Sequence, residues 1–297
     1  MKDPATYINR GYTLVVGDYK NDPNNAILID NLQITFDISK SSSNKDRTNS
    51  AAIEIYNLDE DSLAVLDKQF IAADFSAGYY NTNIQRLFAG EVAQVTTRQD
   101  GPDLVTQIKM GAGYSALNYS TLNDTVPAGK QKKAVLETIR KKIVGINRGV
   151  YSGTNCNSPL ISGYSLTGTP KAALNKLCSA NGMEYNIDND VLYVMDAGGT
   201  YTENTNRALL ISPDTGLLDL AYKVSGEGIR KTPDPAKQAG IQFKSLLNAD
   251  LIPGCLIKLE QGNSLDGFYK LESVRFSGSW RGGHWISECR CSKKIGN

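Results

Sequence analysis

One histidine, His284, is all that this chain of 297 residues contains, and that scarcity narrows its chemistry at once. A Ser-His-Asp or Cys-His nucleophile system needs an imidazole as base, so any such system would have to be built on this residue. His284 stands between Gly282-Gly283 and Trp285 at the edge of an expected strand, where a structural role is the expectation. Cysteine is also sparse: there are five, an odd number, with no CxxC pair, which argues against both a disulfide framework and a zinc ribbon. Cys289 and Cys291 lie two apart in an expected strand and so share a face. They read, with Cys156, Cys178 and Cys255, as reduced and mostly buried thiols. Gly111-Ala112-Gly113 lacks both a third glycine at the required spacing and a following P-loop lysine, so no phosphate loop is expected. Neither metal nor cofactor is implied.

Long apolar runs are missing too. No segment reaches the roughly 18 uninterrupted apolar residues of a spanning helix. The start, Met1-Lys2-Asp3-Pro4-Ala5-Thr6-Tyr7, places acid and proline where a secretory signal needs a basic patch and then an apolar run. The expectation is a soluble protein made in the cytoplasm. An excess of one charge is absent as well: 32 Lys and Arg face 31 Asp and Glu, so the total charge provides no drive toward nucleic acid or an anionic membrane. What is present is 40% apolar residues, enough for a real core in each of about two domains.

Apolar residues recur at spacing two through the first third. They do so at Leu32, Ile34, Phe36 and Ile38, at Ala51, Ile53 and Ile55, and at Leu104, Thr106, Ile108 and Met110. This is the period of strands with one buried face. Ser41-Ser42-Ser43-Asn44 reads as a flexible loop, and Asp100-Gly101 as a hairpin turn between Val95-Thr96-Thr97 and Leu104-Val105. A short helix is expected at residues 60–69, capped by Asn57 or Asp59, with Leu63, Leu66 and Phe70 on one side. The acidic run Asp59-Glu60-Asp61 then opposes the positive end of the helix dipole, a commoner arrangement than a catalytic carboxylate pair.

From about Lys130 to Val144 the period becomes helical, with Val135, Leu136, Ile139 and Ile143 as the apolar stripe and Glu137 with Lys141 as an i,i+4 pair. Six basic residues stand here against one acid. A solvated face is the plainer reading. The sharper one makes Lys132, Lys133, Arg140 and Lys141 a contact surface for an acidic partner, because Lys132 and Lys133 sit at the helix start, where the dipole disfavours cations. Residues 145–168, rich in Gly, Ser and Asn, read as a connection. A second helix follows, with Thr169 as cap, Pro170 at its first position, Leu174, Leu177 and Cys178 on one side, and Gly182 as its stop. Strands 185–187 and 191–195 then flank an Asp188-Asn189-Asp190 turn.

Strands return at residues 208–212, 255–260, 268–276 and 284–291, and Gly226 through Pro235 reads as an exposed loop. The fold class expected is mainly β with an α+β insert: two antiparallel β-barrel domains, residues 1–118 and 205–297, flanking a helical connection and helix-hairpin module at 119–204.

Several stretches carry a resemblance that supports this division. In the first half they are Leu32-Gln33-Ile34-Thr35-Phe36-Asp37-Ile38, Ala52-Ile53-Glu54-Ile55-Tyr56-Asn57-Leu58, Leu87-Phe88-Ala89-Gly90-Glu91-Val92 and the 98–103 hairpin. In the second half they are the helix-hairpin at 166–196, Ser212-Pro213-Asp214-Thr215-Gly216-Leu217, the 245–254 stretch that ends Pro253-Gly254, and Asp266-Gly267-Phe268-Tyr269-Lys270. In this order they resemble the central hub proteins of bacteriophage baseplates, the family once grouped as late-control D-like. The chain departs from that pattern at Ser277-Gly278-Ser279, where the family often has Gly-Asp, and in an insertion-like loop at 225–239.

The resemblance implies a homotrimer in the virion tail, synthesised in the host cytoplasm. Its two tube-like modules per chain would make six around a ring. Such a ring mates a sixfold tail tube with a threefold central spike, contacts other baseplate proteins and lets phage DNA pass at genome ejection. No catalytic turnover is implied. A distal tail or tube-initiator ring protein is the nearest alternative, although the middle helix-hairpin favours the hub. A tail-associated cell-wall hydrolase would need either His284 or two carboxyls across a cleft. An adhesin would use some of the 15 tyrosines, which fit half-buried strands equally well.

Overall fold

The computed structural model describes residues 9–18, 26–42, 49–66, 71–80, 83–201, 207–224 and 240–293. The chain start, Ser43-Asn44, Phe70 and the 225–239 loop, all read above from sequence, lie outside the described residues. Alternation of side chains builds the first region. Its strands are β1 (Arg10–Gly17), β2 (Ala26–Ile29), β3 (Ile34–Ser41) and β4 (Ser50–Tyr56), then, after helix α1 (Glu60–Leu66), β5 (Ala72–Tyr79), β6 (Asn83–Asp100) and β7 (Asp103–Gly111). Ile34, Phe36 and Ile38 are buried, as are Ala51, Ile53 and Ile55. Asp59 caps α1, its Oδ1 accepting from the Ser62 amide at 2.8 Å. Gly101 takes φ +61° at the tight turn joining β6 to β7, as such a turn requires. Leu104, expected on the buried face, is 46% exposed, because it sits at the tip of this hairpin beyond the reach of the core.

The middle of the chain holds α2 (Tyr114–Tyr119), β8 (Leu122–Val126), α3 (Lys132–Lys142), β9 (Asn147–Tyr151), α4 (Thr154–Asn157), β10 (Tyr164–Gly168), α5 (Pro170–Ala180), β11 (Met183–Asp188) and β12 (Val191–Asp196). Val135, Leu136, Ile139 and Ile143 are buried, the stripe expected of α3. Thr169 caps α5 by accepting from the Ala172 amide at 3.3 Å. Asn189 and Asp190 form the β11–β12 turn with φ of +48° and +63°, a conformation that these residue types tolerate better than others. The reading of residues 145–168 as a bare connection is corrected. β9 pairs in parallel with β12, and β10 pairs antiparallel with β8. These strands are short and mostly polar, so backbone pairing with a partner distant in sequence, and not apolar period, defines them.

The last region contains β13 (Leu209–Ile211), β14 (Tyr222–Val224), β15 (Gly240–Leu246), β16 (Leu256–Leu259), β17 (Gly267–Ser279) and β18 (Trp285–Lys293). Ser212 and Thr215 form a reciprocal capping box around a 3-10 turn at Pro213–Thr215.

The two β regions join in one sheet. Its path runs β14-β15-β18-β17-β3-β4-β7-β6-β5-β1-β2, with β16 on β17 and β13 on β16. The junction is antiparallel, from Ser273 opposite Ser41 to Ser279 opposite Thr35. Beneath it Phe36 packs edge-on against Trp285 at 5.0 Å and 80°, and lies 5.0 Å from Phe75. Gly278 permits this meeting, since a Cβ there would come within 2.5 Å of the Trp285 ring. A single apolar cluster runs through all three regions.

Candidate partner surfaces and the charged seam

Strand β11 is buried along its whole length, and its two faces meet different surroundings. On one face Tyr185 donates to Asn175 Oδ1 of α5 at 2.8 Å, alongside Met183 and Ile187. On the other, Glu184, Asn186 and Asp188 meet cations and amides of the large sheet. Lys270 of β17 lies 2.8 Å from Glu184 and 3.4 Å from Glu272, and Lys40 of β3 lies 2.5 Å from Asp188. Asn49 Nδ2 donates to Asn186 Oδ1 and to the Ile187 carbonyl, both at 2.8 Å. Glu272 accepts further from Ser42 and Ser292, and Asn189 Oδ1 accepts from the Ala89 amide at 3.1 Å.

The two lysine side chains are 4% and 1% exposed. Stripping water from each ion costs several kcal/mol, which the partner charge and these hydrogen bonds offset. An apolar seam of similar shape would hold as well. What the charges add is position: a shift of β11 by one residue would turn its polar face away from both lysines. The seam fixes the middle module on the sheet.

The opposite, solvent-facing side of the sheet carries ion pairs laid across strands. Lys244 of β15 lies 3.4 Å from Glu288 of β18, which lies 3.9 Å from Arg275 of β17, and Arg275 Nε donates to Asp37 of β3 at 2.9 Å. Further along, Arg98 of β6 donates to Glu54 of β4 at 2.9 Å. The face is polar and its charges alternate, crossing the junction between the two β regions.

The basic residues of α3 do not form one patch. Lys133 and Arg140, seven positions apart, point within about 20° of each other, whereas Lys132 and Lys141, nine apart, point about 180° apart. Arg140 is turned inward, donating to Glu137 at 3.1 Å and to the Ile146 carbonyl at 2.9 Å. The expected Glu137–Lys141 pair is therefore replaced: Glu137 faces Arg140 and, at 3.5 Å, Arg148 of β9. Lys133 donates to Asn157 of α4 at 3.3 Å, and Lys142 lies 3.4 Å from Asp124 of β8. Lys141 is exposed and has no ion pair among the described residues.

The fold has counterparts among known proteins. A family model described as baseplate hub gp41 matches residues 13–261, most of the chain. The chain belongs to the baseplate hub gp41 family. The hub has the fold of the 43 kDa tail protein of prophage MuSo2 from Shewanella oneidensis, with a TM-score of 0.66 at 12% identity over 96% of this chain and 99% of that one. A tail protein from Neisseria meningitidis MC58 matches equally, with a TM-score of 0.66 at 12% identity over 95% and 96%. The Escherichia coli c3393 protein, described as a type VI secretion component similar to T4 gp27 and gp5, matches with a TM-score of 0.59 at 12% identity over 89% and 75%. No curated protein matches the sequence. The protein is thus a β-rich structural component of a phage baseplate.

In this hub protein His284 is exposed, on the turn between β17 and β18. All five cysteines are free, and four are buried. Burial pushes the Cys156 thiol up to about 11, those of Cys178 and Cys255 to about 12, and those of Cys289 and Cys291 well above their ordinary range. Such thiols are poor nucleophiles and poor metal ligands. Among the described residues no three His, Cys, Asp or Glu side chains gather as a metal site, and no helix is long and apolar enough to cross a membrane. Sequence reasoning missed the charged seam. Glu184-x-Asn186-x-Asp188 reads as a solvent face, and its countercharge comes from Lys40 and Lys270, the latter 86 residues from Glu184.

Proposed function

We propose that this hub works as a trimeric ring. Residues 1–118 and 205–297 are its two barrel-like modules, and 119–204 is the clamp between them. Three chains supply six modules, so one face of the ring meets a sixfold tail tube and the other a threefold central spike. Its action is geometric, with no bond made or broken. The observation that carries this reading is the β3–β17 junction, which joins the two β regions edge to edge in one sheet. The cross-strand ion pairs make the solvent-facing side of that sheet suitable as a channel wall. Cations already paired with carboxylates hold phosphates weakly, so DNA passes without being retained.

The exposed His284 and the protonated, buried thiols support a chain without turnover of its own. A density map of intact tails tests the reading. It should place Asp37, Arg275 and Glu288 on the axial channel of a threefold ring; a hub seated off the axis would refute it. A muralytic assay of the purified chain should show no activity.

A further inference from the structure

The turn between β17 and β18 meets the start of β1, and the two bring together a pair of arginines, Arg281 and Arg10, that have no ion pair among the described residues. An open cleft of about 310 Å³ lies between Arg10, Trp280, Arg281, Gly282 and Gly283. Arg10 is fixed there. Its Nη1 donates to the Ser279 carbonyl at 3.0 Å and its Nη2 to the Gly283 carbonyl at 2.9 Å, and its guanidinium lies 5.6 Å over the Trp285 ring. Trp280 is fixed as well, its Nε1 donating to the Arg10 carbonyl at 3.0 Å and its ring edge-on to Tyr12 at 5.4 Å. The exposed Arg281 lies over the Trp280 ring at 5.0 Å, and its Nη2 donates to the Asn31 carbonyl at 3.3 Å.

Elsewhere on the sheet Lys244, Arg275 and Arg98 stand beside carboxylates. Here the backbone carbonyls use two of the five guanidinium donors of Arg10 and one of those of Arg281, so donors remain for an incoming anion. Two guanidinium forks beside an indole suit a carboxylate whose methylene stem rests on the ring. Gly282 keeps the entrance clear. A Cβ there would meet nothing within 4 Å, and its backbone is outside the left-handed region, so the missing side chain leaves space and not a special conformation. The positive zone is short, because Asp30 lies near enough to act on the Tyr12 hydroxyl against Arg281. One or two carboxylates fit such a zone, whereas a duplex backbone needs a longer track of cations.

We infer that this cleft receives an acidic segment of a neighbouring tail protein, with a carboxylate held between Arg10 and Arg281 and its stem against Trp280. The site stands apart from the ring reading above and does not depend on how many chains close a ring.

The test follows the anisotropy of a dye-labelled hexaglutamate peptide added to the full-length chain at low ionic strength. Wild type and a control, Lys176→Ala at an exposed cation of α5, should bind it with a Kd on the order of 1 mM or below. Arg281→Ala should weaken binding about 10-fold or more, the loss expected for a hydrogen-bonded charge. Gly282→Asp places a carboxylate of the chain's own at the entrance and should block the peptide while leaving the backbone as it is. This second variant decides the matter should Arg281→Ala loosen the turn. Wild type that fails to bind at millimolar concentration, folded variants that bind like wild type, or labelled hexaglutamine that binds as tightly would each overturn the inference. A duplex oligonucleotide that displaces the peptide at lower concentration than unlabelled hexaglutamate would overturn it too, and would assign the cleft to nucleic acid.

Discussion

Lys40 and Lys270 show how little a residue's type reveals of its place. Both are in strands whose alternation is legible, yet each is buried against an acid from a distant segment. Removing one partner leaves a charge in the interior, so Lys270→Met should destabilise the chain by about 3 kcal/mol or more. Lys244→Ala, at a half-exposed pair, should change stability by less than about 0.5 kcal/mol. Denaturant midpoints compare the two, and equal shifts would mean that the seam is wet. The thiols give a prediction with a defined pH window. Cys178 and Cys255 are raised by burial from 9.0 to about 12. Their folded state prefers the neutral thiol, so that contribution is complete below pH 9 and is lost as pH rises toward 12. Stability measured from pH 7 to 11 should be level to about 9 and then fall. Replacing both cysteines with alanine should reduce that alkaline slope, and an unchanged slope would assign it to other groups.

At the scale of elements, what could be read was whatever has a local cause. Helix α5 was legible from Thr169, Pro170 and Gly182, and the turns at Gly101 and at residues 189–190 from their own residue types. The strands β3, β4 and β7 were legible from alternation. What was not legible depends on contacts between distant segments. β9 has only partly exposed or exposed residues along its length, so no apolar period marks it. β11 alternates correctly, but its polar face turns inward because lysines wait there. The close approach of β6 to β7 was hidden in the same way. A Cβ on Gly90 would lie 2.5 Å from the Gly111 carbonyl oxygen. Gly90→Ala should therefore cost about 1–3 kcal/mol by forcing two backbones apart. A melting temperature equal to wild type would show that the strands can separate freely.

For the molecule as a whole, the near-balance of 32 basic and 31 acidic residues gains a local meaning from the paired charges across the sheet. The mainly β character and the hub family were legible, because the order of several turn motifs survives at low identity. The α3 lysines illustrate the limit of reading a charge run: helical geometry sends Lys132 and Lys141 to opposite sides, and Arg140 folds back onto Glu137. Lys132, Lys133 and Lys141 remain proposed partner contacts, but as separate points. Joining the two β regions into one sheet was beyond pattern reading, since the β3–β17 register connects residues more than two hundred positions apart. The central claim is that three copies of this chain supply six modules to match a sixfold tube. It is tested most directly by the ratio of hub chains to tube chains in one ring layer of purified tails, measured by native mass or quantitative protein counting. Three hubs for every six tube subunits is the expected result; six hubs, or two, would contradict it.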